Sequence, residues 1–195
     1  MCSKKINNKI IKIAQTICAF LVLANFQSHA VETSIQAHKV DHDKSYGYTL
    51  ALGGDLFNQR AINWQVAYNR LEDVKITWNN DDIDFSLDTV ELALSYRYYP
   101  SSYDKFIRSL SVEFQVGAGI ALTETKFDWP ELQEEKYFSE QGDVNPFLSV
   151  LVHKEISKST SIHLGIKHYT SYSEFDDISS VFVGFTYRFS QKRGL

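Results

Sequence analysis

Apolar and polar side chains alternate through most of this sequence, and the segment Ser180–Phe189 shows the pattern well. Large apolar residues take one face of it, while Phe182, Gly184, Thr186 and Arg188 share the other. Successive side chains of a strand point to opposite faces, so a period of two predicts a β-strand with one apolar face. That face packs inward in a soluble sheet but outward in a membrane barrel.

Strands of the same kind recur along the chain, and the clearest lies in residues 108–122. Every second residue there from Leu110 to Leu122 is apolar, while the opposite face carries Ser, Glu, Gln, Gly and Ala. Segments of this length exceed ordinary soluble strands and suit a tilted crossing of a bilayer. Upstream of Val90 the apolar phase shifts by one residue, so we expect either a β-bulge or a strand extension beyond the membrane near Asp88. The predicted strands are 46–57, 62–78, 83–99, 107–127, 144–155, 160–173 and 179–189.

The connections between these strands alternate in length. The short ones are 58–61, 100–106 and 156–159, and the long or acidic ones are 79–82, 128–143 and 173–177. Bacterial single-chain barrels have an even number of strands, with short periplasmic turns and longer loops outside. An eighth strand must therefore precede Tyr46, within residues 31–40. The sequence predicts an all-β fold, an antiparallel up-and-down eight-stranded transmembrane β-barrel within residues 31–195.

The N-terminal segment has the three parts of a secretory signal peptide. Four lysines precede a largely apolar run over residues 13–26, and Ser28-His29-Ala30 forms a small-x-small cleavage site. A transmembrane anchor is the alternative, but the run falls short of the roughly 20 residues that a bilayer demands. We predict that residues 1–30 are removed. Both cysteines lie in this segment, so the mature chain holds no disulfide and no cysteine metal site.

Charge narrows the possible partners. The chain has 20 basic and 24 acidic residues, and removal of the four signal lysines leaves 16 against 24, a formal charge of −8. That balance argues against a nucleic acid partner. A soluble sandwich or lipocalin-like barrel is the alternative fold, but it would place charges outside, whereas Arg97, Glu113 and Lys167 share the side of the glycines. We therefore expect a closed barrel in the bacterial outer membrane.

Aromatic residues fall near the predicted membrane borders, as expected of interfacial girdles. Those at the periplasmic border are Trp64, Tyr96, Tyr98, Tyr187 and Phe189, and those at the outer border are Trp78 and Tyr172.

The segment VGFTYRF, residues 183–189, resembles the C-terminal assembly signal of outer-membrane barrels, with Gly184, Tyr187 and Phe189 at the characteristic spacing. With Val116-Gly117-Ala118-Gly119 and the segment SYRYYP of residues 95–100, it resembles the small OmpA-like and OmpW-like eight-stranded outer-membrane protein superfamily. The resemblance implies insertion by the barrel assembly machinery. It also implies outer-membrane lipid and lipopolysaccharide as partners.

We do not expect this protein to be a general diffusion pore, because an eight-stranded barrel is only just wide enough for its own side chains. We predict a plugging polar network rather than a conduction path, and an envelope-structural, surface-interaction or small-solute role without a cofactor. Carboxylates of the outer loops could share a divalent cation with lipopolysaccharide phosphates, but no ligand spacing recurs and we predict no metal site. The network residues are Glu91, Arg97, Glu113, His163, Lys167 and Arg188.

His168 is the sharpest chemical candidate, because its phase places a titratable group on the lipid side. His168-Tyr169-Thr170-Ser171 resembles the His-x-Ser-Asn segment of the PagL-type lipid A 3-O-deacylases. The resemblance implies that His168 is the general base and Thr170 the nucleophile, with Asp176 as the nearby acid. The following strand has no acidic residue on its lipid face, and Asp176 is expected in the loop together with Glu174 and Asp177. Thr170 and Ser171 depart from that family's Ser and Asn, and an interfacial histidine without catalysis is the alternative.

Overall fold

The computed structural model describes residues 30–40, 45–56, 59–78, 81–129, 134–172 and 176–190. Alternating residues place extended strands along nearly all of this length. One short helix, α1 (Lys105–Arg108), begins after Asp104, whose carboxylate caps its first turn. The strands are β1 (Ala30–Val40), β2 (Tyr46–Leu56), β3 (Gln59–Trp78), β4 (Asp81–Tyr98), β5 (Leu110–Ala121), β6 (Thr125–Trp129), β7 (Glu134–Ser139), β8 (Val144–Glu155), β9 (Thr160–Tyr172) and β10 (Asp176–Ser190).

Eight of these strands form one closed antiparallel barrel in the order β1-β10-β9-β8-β5-β4-β3-β2. β1 supplies the eighth strand, pairing with β10 on one side and β2 on the other. The predicted up-and-down eight-stranded barrel is therefore confirmed. Residues 1–29 of the predicted signal peptide lie outside the described residues. We call the end that carries Ala30 and Ser190 the lower end, and the opposite end the upper end.

The stagger of the strands follows from the register of their pairs. Partners traced once around the barrel from one residue of β5 return to β5 ten residues further along. Eight strands with this stagger tilt by about 40–45° and enclose a lumen just wide enough for side chains. The path runs through Leu110, Lys154, Ile162, Phe185, Ile35, Leu50, Tyr68, Val90 and Ile120.

Alternate side chains of each barrel strand face outward and form an apolar belt. On β9, Leu164 and Ile166 are 59% and 58% exposed, while His163 and Lys167, which flank them in the sequence, are each only 3% exposed. This is the inversion of a soluble protein that a membrane barrel requires. Among the described residues, no helix is both long and apolar enough to cross a membrane.

Of the two alternatives for the phase shift near Asp88, a bulge in that strand is wrong, because β4 continues to Asp81 without one. The irregularity lies in β3, where Glu72 and Asp73 together oppose Ser86 of β4, and Asp73 has a φ of 52°. β4 keeps its phase, and Leu87 points into the barrel with no exposed surface. The apolar residue at an inward position therefore reflects an apolar upper lumen and not a slip in β4.

Two further expectations changed. The predicted strand 107–127 is divided into α1, β5 and β6. β6 pairs with β7 in a separate two-stranded hairpin that extends into the predicted acidic loop. Trp64, predicted for the periplasmic girdle, is only 2% exposed. Its register partner on β2 is Gly54, which has no side chain and so leaves space on that side.

Candidate functional site

The lower lumen holds a network of charged side chains. Arg97 Nη2 lies 2.7 Å from Glu113 Oε2 and 3.2 Å from Glu32 Oε2. Arg188 Nη1 lies 3.3 Å from Glu32 Oε1, and its Nη2 contacts Asp55. Buried charges are tolerated only when paired in this way. The network therefore joins β1, β2, β4, β5 and β10 across the barrel.

A chain of hydrogen bonds crosses the middle of the lumen. Lys167 Nζ donates to Glu91 Oε2 at 2.7 Å, and the Tyr169 hydroxyl donates to the other oxygen of Glu91. Asn69 Nδ2 donates to the Tyr169 oxygen at 3.0 Å, and Thr49 Oγ1 donates to Asn69 Oδ1 at 2.8 Å. Satisfied networks of this kind stiffen a core. The chain continues through His38 and Ser180.

The upper lumen is apolar. Leu71 and Leu87 face each other in register on β3 and β4 and are 1% and 0% exposed. Apolar side chains packed without gaps exclude water and ions, since the interior of a protein is as dense as a crystal. The buried cluster consists of Val40, Leu71, Val74, Leu87, Ala93, Phe147, Tyr169 and Ile178.

The described residues leave open space below this cluster. A cavity of about 30 Å³, lined in part by Asn63, Arg97 and His163, has room for about one water molecule. Among the described side chains, both polar atoms of the Asn63 amide and His163 Nε2 lack a hydrogen-bond partner. A wider vestibule of about 540 Å³ opens at the lower end beside Arg188 and Lys158. No group of three or more His, Cys, Asp or Glu in the described part of the chain could hold a metal ion.

The predicted lumen residues are thus brought together in two layers, whereas His163 stands apart from the ion pairs. His163 Nδ1 lies 3.2 Å from Thr186 Oγ1, and its ring centroid lies 5.0 Å from that of His153.

Of the predicted assembly signal, Tyr187 and Phe189 are exposed on the outer wall with ring centroids 4.8 Å apart. Their role in assembly stays a prediction.

His168 lies on the outer wall at the upper border of the apolar belt. Its Nδ1 is 2.8 Å from Ser179 Oγ, and its Nε2 is 3.5 Å from Asp177 Oδ2. Thr170, the predicted nucleophile, instead donates from Oγ1 to the carbonyl oxygen of Pro146 at 3.4 Å. The side chain of Asp176 lies outside the described residues. The structure therefore gathers a serine and an aspartate around His168 that differ from the predicted pair.

Several of these residues escaped the sequence predictions for different reasons. Glu32 and Asp55 occupy inward positions of β1 and β2, so the alternation alone was a sufficient signal. Ser179 meets His168 only because β9 and β10 pair in that register. Asp177 is one of the acids predicted for the loop, and that prediction is wrong in its location, because Asp177 lies in β10 with an exposed side chain.

Comparison with solved structures places this architecture among small outer-membrane barrels. The chain is similar to Neisserial surface protein A, at a TM-score of 0.56 and 12% identity, covering 83% of this chain and 98% of that one. It is also similar to the N-terminal β-barrel domain of Pseudomonas aeruginosa OprF, at a TM-score of 0.54 and 10% identity over the same shares. At such identity the likeness shows the fold alone. No protein-family model matches the chain, and no curated protein sequence matches it.

Proposed function

We propose that this protein is a plugged outer-membrane barrel that serves envelope structure and interaction at the cell surface, not the diffusion of solutes. The observation that carries this proposal is the filled lumen. The cross-lumen pair of Lys167 and Glu91 lies below an apolar layer formed by Leu71 and Leu87. A diffusing ion would have to enter that layer without its water, at a cost of several kcal/mol.

The outer wall supports a membrane setting and lipid as the principal partner. Outward residues on neighbouring strands, such as Leu94, Phe114 and Leu148, are each about half exposed and form a continuous apolar surface. A patch of that extent on a barrel fits lipid chains. The hairpin β6–β7 extends the connection at the upper end, which we orient toward the cell exterior. Lipopolysaccharide is the outer-leaflet lipid that this surface would meet.

Single-channel recording in planar bilayers tests the plugged lumen. Purified, folded protein is expected to give no discrete conductance steps at 1 M KCl. A double variant Glu91→Gln with Lys167→Met removes the cross-lumen charges but leaves the apolar layer, and we expect it to stay closed as well. Regular steps from the wild-type protein would contradict the proposal. Folding is checked beforehand by the heat-dependent gel mobility of outer-membrane extracts, which also tests the location.

A further inference from the structure

We propose that Ser179, His168 and Asp177 form a hydrolytic site for an acyl ester of an outer-leaflet lipid. This activity goes beyond the structural role proposed above and uses the outer wall rather than the lumen. The two ring nitrogens of His168 have different neighbours, a serine hydroxyl at 2.8 Å and a carboxylate at 3.5 Å. A nucleophile, a base and a group that orients the base define a triad by geometry, whatever their order in the chain.

The three side chains come from two paired strands. Ser179 lies opposite His168 in the β9–β10 register, and Asp177 is two residues further up β10 on the same face. The pairing is irregular at that point, because Thr170 and Ser171 of β9 both fall opposite Asp177. Bulges of this kind re-aim side chains and occur beside active sites. The irregular pairing thus lies at the point where the Asp177 carboxylate approaches the His168 ring.

The position of the site selects its substrate. Immediately below it, Ile166 and Val181 face outward at 58% and 51% exposure, and Leu148 lies beside His168 on β8 at 55%. His168 and Asp177 are themselves 44% and 57% exposed in their side chains. In a lipid, the ester carbonyl joins the polar head to the acyl chain. A lipid whose chain lies on Ile166 and Val181 would therefore present its ester at the depth of Ser179.

The reaction follows from the contacts. Neutral His168 accepts the hydroxyl proton of Ser179 on Nδ1 as Oγ bonds to the ester carbonyl carbon, and Asp177 stabilises the imidazolium through Nε2–H. The ester C–O bond then breaks, and His168 returns the proton to the departing alkoxide, which leaves as an alcohol. Water attacks the acyl-serine in the same way. The products are a free fatty acid and the restored serine hydroxyl.

Ester hydrolysis by folded protein in detergent micelles tests the site. The probes are p-nitrophenyl decanoate, phosphatidylethanolamine in mixed micelles, and lipopolysaccharide in mixed micelles, with released fatty acid measured in the last two. Wild-type protein is expected to cleave the chromogenic ester and one of the lipids, which identifies the source of the acyl group. His168→Gln and Ser179→Ala are each expected to lower the rate about 10³-fold or more.

Two matched variants separate catalysis from packing. Ser180→Ala removes the adjacent serine, which also contacts a histidine, His38 at 3.2 Å, but inside the lumen. Thr170→Val removes a second hydroxyl of the outer wall, which donates to the carbonyl oxygen of Pro146. Both are expected to stay within about threefold of wild type, because neither hydroxyl faces the ester. A fluorophosphonate should label Ser179, as located by peptide mass spectrometry.

Three outcomes overturn the proposal: no ester cleavage by folded wild-type protein, an unchanged rate in Ser179→Ala, or an adduct on Thr170. Heat-dependent gel mobility confirms that each variant is folded. In micelles the substrate reaches the outer wall at both the upper and the lower end of the barrel. The result therefore does not depend on the orientation or the closed lumen proposed above.

Discussion

At the scale of single residues, the lumen is shaped by glycines that make room for aromatic rings. A Cβ added to Gly165 would lie 2.6 Å from Phe182 Cζ, a distance at which one of the two must move. Strand glycines commonly mark such close approaches, and an aromatic ring can cover the glycine from the neighbouring strand. The pairs in register are Gly117 with Phe147, Gly165 with Phe182, and Gly184 with His163.

Two glycines on β5 allow a matched test of this packing. A Cβ on Gly117 would lie 2.6 Å from Phe147 Cζ and also meet the backbone oxygen of Leu92, whereas on Gly119 its nearest neighbour would be Thr89 Cβ at 3.5 Å. We expect Gly117→Ala to lower the free energy of unfolding by about 1–3 kcal/mol. Gly119→Ala should leave it unchanged or raise it by about 0.5–1 kcal/mol. Urea unfolding in phospholipid vesicles measures both, and equal effects would refute the steric account.

These pairs also mark what the sequence could predict for single residues. The alternation placed Gly184 and Phe182 on the same inward face, which the structure shows. It did not reveal that Phe182 covers Gly165 on the next strand, because cross-strand register depends on the stagger of the whole barrel. The contact between Ser179 and His168 could not be predicted for the same reason.

At the scale of elements, the barrel strands are tied together across the lumen as well as along their edges. Arg97 on β4 bonds to Glu113 on the adjacent β5 and to Glu32 on β1, which is not its neighbour in the barrel. Backbone ladders fix neighbouring strands, and such cross-lumen pairs fix the cross-section. An arginine suits this position because its planar group bonds two carboxylates at once.

Removal of that arginine should be costly, and the chain offers an exposed counterpart. Arg97→Met leaves Glu113 buried without its arginine and leaves Glu32 with Arg188 alone. We expect a loss of about 3–5 kcal/mol in the free energy of unfolding. Arg70 pairs with Glu72 at 2.7 Å on the surface, with side chains 36% and 30% exposed. Arg70→Met should cost far less, because exposed ion pairs contribute little to stability. If Arg97→Met lowered the free energy of unfolding as little as Arg70→Met, the buried network would not stabilise the barrel.

The elements were predicted well where one physical rule applied along the whole strand. Apolar and polar positions alternate through β8 and β9, and both strands lie within a residue of the predicted bounds. The prediction failed at the upper end of β4, where it assumed that every inward position is polar. Leu87 breaks that assumption because the upper lumen is apolar. The short helix α1 was missed because a four-residue helix depends on a single cap, Asp104, and not on periodicity.

At the scale of the whole molecule, the two ends of the barrel differ. The lower end opens into a polar vestibule of about 540 Å³, and the upper end is closed by the apolar cluster. The first residue of β1, Ala30, pairs with the last residue of β10, Ser190, at the lower end. The closed upper end and the hairpin above it fit the proposed interaction through the outer surface of the molecule. The filled lumen gives that surface a rigid support.

The hairpin β6–β7 should be dispensable for this support. It pairs only within itself in the described structure. Its neck is closed below by two hydrogen bonds, from Ala121 N to Asp143 O at 2.9 Å and from Gly142 N to Ala121 O at 2.8 Å. A Gly-Ser linker in place of residues 124–140 keeps this neck, so the barrel should retain its heat-dependent gel mobility. Its free energy of unfolding should change by no more than about 0.5 kcal/mol, since loop length contributes little to stability. A shortened barrel that fails to fold would instead make the hairpin part of the structural core.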